Sequence, residues 1–143
     1  MNTLRLGFFS QFRGSDTLLF HGDGDGLRLL AQTMRGLSTP GALSVALHEL
    51  PFVEIHHDVR VVAAQEKRDR GVWRQSENVF LWRRSPLGWL EAAEKVEVLV
   101  VASHGHQYIE EERRITVMVS RDEYGPEWWA EHGSKRSSTE NDP

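Results

Sequence analysis

Residues 16–38 read DTLLFHGDGDGLRLLAQTMRGLS, and this stretch carries the clearest structural signal in the chain. Residues 17–20 are β-branched, aliphatic and aromatic, which favours a strand, and three glycines follow at alternate positions. Apolar side chains then recur at helical spacing, at Leu27, Leu30, Ala31, Met34 and Leu37. The stretch therefore predicts a strand, a glycine turn and an amphipathic helix.

The glycine turn, GDGDG at residues 22–26, invites two chemical interpretations. A phosphate loop is disfavoured because the spacing is not G-x-G-x-x-G, no Lys-Ser/Thr pair follows, and two aspartates would repel a phosphate. A calcium loop is disfavoured because leucine and alanine occupy the positions of the later ligands. We therefore predict that Asp23 or Asp25 caps the helix and that the turn serves folding.

The rest of the chain alternates strand signals with one more helix. Ser85-Pro86 is a typical helix start, whereas the polar residues 65–78 predict a hairpin loop. Period-two or β-branched runs predict strands at 4–8, 43–47, 53–63, 79–85, 107–112 and 113–120. We expect an α+β fold with a mostly antiparallel sheet of about six or seven strands and two helices packed on it. Residues 1–130 would form one domain, and the polar residues 131–143 a disordered C-terminal tail.

Composition restricts the classes of function. The 143 residues include no cysteine, which excludes disulfides and thiolate chemistry, and the net charge of −4 disfavours a nucleic-acid binder. The longest apolar run, residues 98–102, is far shorter than the roughly 20 residues that span a bilayer. The N-terminus does not resemble a signal peptide. We expect a cytoplasmic monomer or dimer without a membrane or nucleic-acid partner.

Seven histidines justify a test for metal binding. His56 and His57 are neighbours in a predicted strand, so they would point to opposite faces. His104 and His106 could share a face, but no H-E-x-x-H register or third ligand is fixed by the sequence. We expect structural or surface histidines, no catalytic residue, no metal and no cofactor. A small enzyme or metal-dependent binding protein that uses His48, His56, His104 and His106 remains the alternative.

Acidic and aromatic residues late in the chain are the candidates for partner binding. Glutamates cluster at a predicted hairpin tip, and five tryptophans are many for this length. Most of the tryptophans should pack in the core, but the adjacent pair near the end of the chain could contact a partner, since tryptophan is enriched at binding hot spots. The candidate residues are Glu110, Glu111, Glu112, Asp122, Glu123, Trp128 and Trp129.

The chain also resembles a family of small immunity proteins from bacterial polymorphic toxin systems. The resemblance rests on Gly22, Asp23, Gly26, Leu27 and Leu30 and on the motifs LHELPFVEIHHDV (47–59), FLWRRSPLGWLE (80–91), GHQYIE (105–110) and VSRDEYGPEWW (119–129). It implies an α+β fold, no catalytic residues, no cofactor, and a cognate protein toxin as the partner. We therefore predict a non-catalytic protein that neutralises a toxin by direct contact.

Overall fold

The computed structural model describes residues 4–111 and 114–132. In chain order the elements are β1 (Leu4–Phe12), β2 (Ser15–Gly22), α1 (Gly24–Leu37), β3 (Ser44–Ala46), β4 (Val53–Ile55), β5 (Arg60–Gln65), β6 (Gly71–Ser76), β7 (Val79–Arg84), α2 (Pro86–Val101), β8 (Gly105–Glu110) and β9 (Ile115–Arg121). A 3-10 turn (Leu47–Glu49) precedes β4, and residues 126–132 are helical. No helix in the described ranges has the length and apolarity needed to cross a bilayer. Glu112 and residues 133–143 of the predicted tail lie outside the described residues, whereas residues 131 and 132 belong to the helical segment.

The strands form two mixed sheets. One sheet has five strands in the order β4-β1-β2-β9-β8, and the other has four in the order β3-β5-β7-β6. The α+β class is confirmed, but the prediction of a single, mostly antiparallel sheet of six or seven strands is wrong. Three pairs are parallel: β1–β4, β2–β9 and β5–β7. Each joins strands that are not consecutive in the chain, since a parallel pair needs a long connection.

The predicted strand over residues 53–63 is interrupted by a sharp turn. His57 and Asp58 both have left-handed backbone conformations, with φ of 56° and 57°. The chain leaves the five-stranded sheet after β4 and enters the four-stranded sheet as β5. The prediction that His56 and His57 point to opposite faces of one strand is therefore wrong, because neither residue lies in a strand.

Strand β6 lies within the predicted loop 65–78. It is an edge strand with mostly exposed side chains, so it lacks the apolar alternation that identifies a strand with one buried face. It pairs antiparallel with one edge of β7, and the other edge of β7 pairs parallel with β5.

The predicted strand, glycine turn and helix of the opening stretch are present as β2, the turn and α1. The Asp23 carboxylate accepts a hydrogen bond from the Gly26 backbone N–H at 2.8 Å, which makes Asp23 the cap. Gly24 lies against the Arg121 guanidinium, so that a Cβ atom there would approach Nη2 to 3.0 Å. Arg121 Nη1 donates to the carbonyls of Leu99 and Val100 at 2.9 and 2.6 Å. The turn therefore joins the start of α1 to the end of α2.

Two apolar cores hold these elements together. The main core lies between the inner faces of the two sheets and includes the buried faces of α1 and α2. The smaller core lies on the outer face of the five-stranded sheet and contains Phe9, Leu19, Met118 and Trp129. The late tryptophans thus cover a sheet face that the helices leave free.

The start of α2 has no room for a side chain at Gly88. Ser85 caps the helix by accepting the Gly88 N–H at 2.9 Å, and the Asp69 carboxylate accepts both the N–H and the hydroxyl of Ser85 at 2.8 and 2.9 Å. A Cβ atom on Gly88 would lie only 2.1 Å from Asp69 Oδ1, so a substitution there must displace this carboxylate.

Gly88→Ala should lower the free energy of unfolding by about 1–3 kcal/mol, the usual cost of overpacking. Gly36→Ala in α1 is the matched control, because a Cβ atom there meets nothing within 4 Å. It should raise the free energy of unfolding by about 0.5–1 kcal/mol, since alanine favours helices over glycine. Urea denaturation followed by circular dichroism measures both values. Equal effects of the two substitutions would contradict the packing described at Gly88.

Candidate functional site

The C-terminal segment, residues 122–132, lies across the outer face of the five-stranded sheet. Its Trp129 is 1% exposed and packs against Phe9, with ring centroids 5.6 Å apart, and against His56 at 4.6 Å. A Cβ atom on Gly7 would come within 3.1 Å of the Trp129 ring, so the sheet accepts this ring only where β1 carries glycine. Trp129 therefore fixes the segment to the sheet and presents no surface to a partner.

Trp128 lies at the margin of the smaller core. Its ring packs against Phe9 at 5.3 Å and Tyr124 at 4.6 Å, and His132 stacks on it at 4.3 Å. Its side chain is half-buried. Successive residues of a helix point in directions about 100° apart, so only one of two adjacent tryptophans can face the sheet fully. Of the two predicted contact tryptophans, Trp128 is the one that solvent reaches.

Polar contacts hold the beginning of the C-terminal segment. The Tyr124 backbone N–H donates to His21 Nε2 at 3.0 Å. Glu123 accepts a hydrogen bond from the Ser120 hydroxyl at 2.6 Å, and His106 Nδ1 lies 3.1 Å from the same carboxylate. Because the Ser120 hydroxyl points to the carboxylate and not to an imidazole, this group does not have the arrangement of a hydrolase triad.

Contacts and burial shift the pKa values of several groups that hold the segment, among them His21, His56 and Glu123. Burial lowers the pKa of His21, and the positive charge of Arg5 acts in the same direction against the carboxylates of Asp122 and Glu123. Burial alone would raise the pKa of Glu123, but the Ser120 hydroxyl and His106 outweigh it and hold this pKa below its usual range. The segment is thus held by a neutral histidine and an ionised carboxylate.

The predicted acidic residues occupy different environments. Glu111 and Asp122 are exposed, Glu123 is half-buried in the contacts with Ser120 and His106, and Glu110 is buried. Sequence reasoning missed Glu127 and Glu131, which are exposed in the same helical segment as Trp128. Their i, i+4 spacing was the available signal, because residues four apart lie on one face of a helix.

The sequence predicted that Glu110 lies on an exposed hairpin tip. In the structure Glu110 instead belongs to a buried ion pair. Its side chain is 6% exposed and that of Arg84 is 5% exposed; Arg84 Nη1 lies 2.8 Å from Glu110 Oε2. Trp82 Nε1 donates to the same oxygen at 2.9 Å, and Arg84 Nη2 donates to Glu91 at 2.9 Å. These contacts join the four-stranded sheet, the five-stranded sheet and α2.

The histidines of the alternative hypothesis have separate surroundings. His48 Nδ1 accepts the Val61 N–H at 3.1 Å, the His56 ring packs at a tilt against Trp129, and exposed His104 contacts the Ser103 hydroxyl. His106 lies beside Glu123. In residues 4–111 and 114–132 no group of three His, Asp or Glu side chains could hold a metal ion. A cleft of about 340 Å³ beside the glycine turn is lined by charges of both signs, from Arg5, Asp23 and Asp122.

Comparison with known proteins gives no further assignment. No family model, curated protein or solved structure matches this chain significantly.

The Arg84–Glu110 pair should be strongly coupled. Arg84→Met removes the opposite charge from beside a buried carboxylate and should lower the free energy of unfolding by about 3–5 kcal/mol. Adding Glu110→Gln should recover part of this loss, because the buried charge is then removed as well. Arg35→Met, which breaks the exposed pair with Glu97, is the control and should cost far less. Additive effects of the two buried substitutions in denaturation experiments would refute the coupling.

Acid should loosen the C-terminal segment. In the unfolded chain His21 binds a proton near its ordinary pKa of 6.5. In the folded protein its pKa is lower, so it binds the proton only at lower pH. The stability that His21 contributes is therefore complete above about pH 6.5 and decreases as the pH falls below it. Glu123 adds a second loss below about pH 4.5, since its folded pKa is lowered. Tryptophan fluorescence at several urea concentrations measures both steps.

His21→Gln provides an acceptor that does not titrate, so it should reduce the first step. Burial also lowers the pKa of His56, which packs on Trp129, so the double variant His21→Gln/His56→Gln should abolish that step. His104→Gln, at an exposed histidine, is the control and should leave both steps unchanged. A first step of wild-type size in His21→Gln, or one that persists in the double variant, would assign the acid sensitivity to another group.

Proposed function

We propose that this chain is a non-catalytic cytoplasmic binding protein that acts as an immunity protein and neutralises a cognate bacterial toxin by direct contact. One observation carries the proposal: half-buried Trp128 and the exposed residues Glu127 and Glu131 share one short helical segment that is fixed to a sheet. Glu111 and Asp122 add exposed carboxylates near the two ends of β9.

The chemistry of this surface favours a basic protein partner. Tryptophan supplies a large contact area with few rotatable bonds and is enriched among the residues that dominate binding energy. Carboxylates around it would attract Lys and Arg, speed association and reject acidic competitors. The net charge of −4 acts in the same direction. A basic toxin, such as a nuclease, is the partner that fits best.

The packing of the C-terminal segment orders it before it binds a partner. Trp129 and the contacts of His21 and Glu123 fix the backbone on which Trp128 and the two glutamates stand. A surface that is already ordered loses less conformational entropy when it binds. The segment is therefore suited to tight inhibition.

A small enzyme or metal-dependent binding protein receives less support. Of the four histidines that this alternative requires, His48 accepts a backbone hydrogen bond and His56 packs on an aromatic ring. Metal analysis of the purified protein separates the two functions, since a stoichiometric bound ion would favour the alternative.

Protection from a toxin tests the proposal. Cells that co-express this protein with the toxin encoded beside its gene should keep growing. The double variant Glu127→Lys/Glu131→Lys should bind that toxin about tenfold more weakly or worse, because its new lysines would face the basic residues of the toxin. Glu94→Lys, at an exposed position on α2, is the control and should protect like the wild type. Growth assays and calorimetric titration measure the two effects.

Two results would count against the proposal. Loss of protection in both variants would point to net charge and not to this surface. Full protection and unchanged affinity in Glu127→Lys/Glu131→Lys would remove the C-terminal segment from the binding interface.

A further inference from the structure

The outer face of the four-stranded sheet carries a row of apolar side chains. Ala46 on β3 lies opposite Val62 on β5, Val62 lies opposite Leu81 on β7, and Leu81 lies opposite Trp73 on β6. We call these four residues the Trp73 row. It crosses every strand of the sheet, so it forms one continuous strip.

The Trp73 row faces away from the interior. The residues that alternate with it, such as Val61, Phe80 and Trp82, are fully buried in the main core. None of the four belongs to either apolar core formed by the described residues. Trp73 is 55% exposed, and the other three are half-buried by their neighbours in the sheet. An exposed tryptophan that continues a strip of aliphatic residues is typical of a contact surface.

Positive charge borders the row. Arg60 and Arg83 occupy the neighbouring register positions on β5 and β7, one on each side of the row. The register positions on this face of the four paired strands hold these two arginines and no acidic residue, although the whole chain has a net charge of −4. The side chain of Arg60 is 54% exposed and lies 3.6 Å from the exposed carboxylate of Asp58, so a partner's carboxylate would compete with Asp58 for it. This face is therefore basic in an acidic protein, and it lies on the opposite side of the main core from the C-terminal segment.

The composition of the face distinguishes between partners. Single-stranded nucleic acids bind to sheets through several stacked aromatic side chains, whereas the Trp73 row holds one aromatic and three aliphatic residues. A second copy of the chain would bring arginine toward arginine around a symmetric contact. A protein with acidic residues around an apolar centre could bury the Trp73 row and also pair with the arginines beside it.

We propose that the outer face of the four-stranded sheet docks an acidic protein through the Trp73 row, with Arg60 and Arg83 pairing with carboxylates of that protein. Trp73 is the residue whose burial contributes most, because it is the largest and most exposed member of the row. The inference goes beyond the proposed function, which assigns a basic partner to the opposite side of the molecule.

Site-specific crosslinking tests the proposal. The full chain carries the photoreactive residue p-benzoylphenylalanine in place of Trp73 and is irradiated in its native host. The same residue in place of Val98, which is 53% exposed on α2, is the control. The protein captured only at position 73 is then identified, purified and titrated against the wild-type chain at low and high salt.

The expected result is an acidic protein whose affinity for the chain falls with increasing salt. Trp73→Ala should weaken binding by about tenfold or more, and Arg83→Glu should weaken it by a similar factor. Val98→Ala should leave the affinity unchanged. The Trp73→Ala variant should keep the thermal unfolding transition of the wild type, because more than half of this side chain is already exposed.

Several outcomes would overturn the proposal. These are the absence of a crosslink at position 73, equal capture at positions 73 and 98, and crosslinking to nucleic acid or to a second copy of the chain. An affinity that does not change in Trp73→Ala would also overturn it. None of these outcomes bears on protection from a toxin, so the two proposals stand or fall separately.

Discussion

The buried ion pair of Arg84 and Glu110 is the contact on which the arrangement of the two sheets depends. Arg84 ends the strand β7 and Glu110 ends the strand β8, so the pair joins the two sheets at one edge of the main core. Glu91 extends the contact to α2. An ion pair in a low-dielectric interior has strict requirements of distance and orientation, whereas apolar side chains tolerate small shifts. The pair would therefore favour one relative position of the sheets among those that the apolar core permits.

Sequence patterns predicted the parts of this fold whose causes are local. The glycine turn, the Asp23 cap and the Ser85-Pro86 helix start follow from backbone conformation and the nearest N–H groups. The division into two sheets was not predictable in this way. It depends on two left-handed residues, His57 and Asp58, inside a run that alternates like one strand, and on an edge strand whose side chains are mostly exposed.

The candidate surfaces show the same limit. Acidic and aromatic residues drew attention to residues 110–112 and 122–129, but the sequence could not assign individual side chains to the surface or the interior. Glu110 and Trp129 are buried because distant partners meet them, Arg84 in one case and the face of β1 in the other. The Trp73 row was invisible for a related reason, since its four members come from four strands whose register only the sheet defines.

The parallel pairing of β2 with β9 determines when the protein can become complete. Asp16 pairs with Ile115, so nearly one hundred residues separate two neighbouring strands. While the chain is being synthesised, β2 has β1 on one side and an open edge on the other, and Phe9 and Leu19 remain without Trp129. Open edges and uncovered apolar faces promote aggregation and attract chaperones. Synthesis must therefore proceed past β9 before the five-stranded sheet can close, so a product that ends before β9 would keep this edge open.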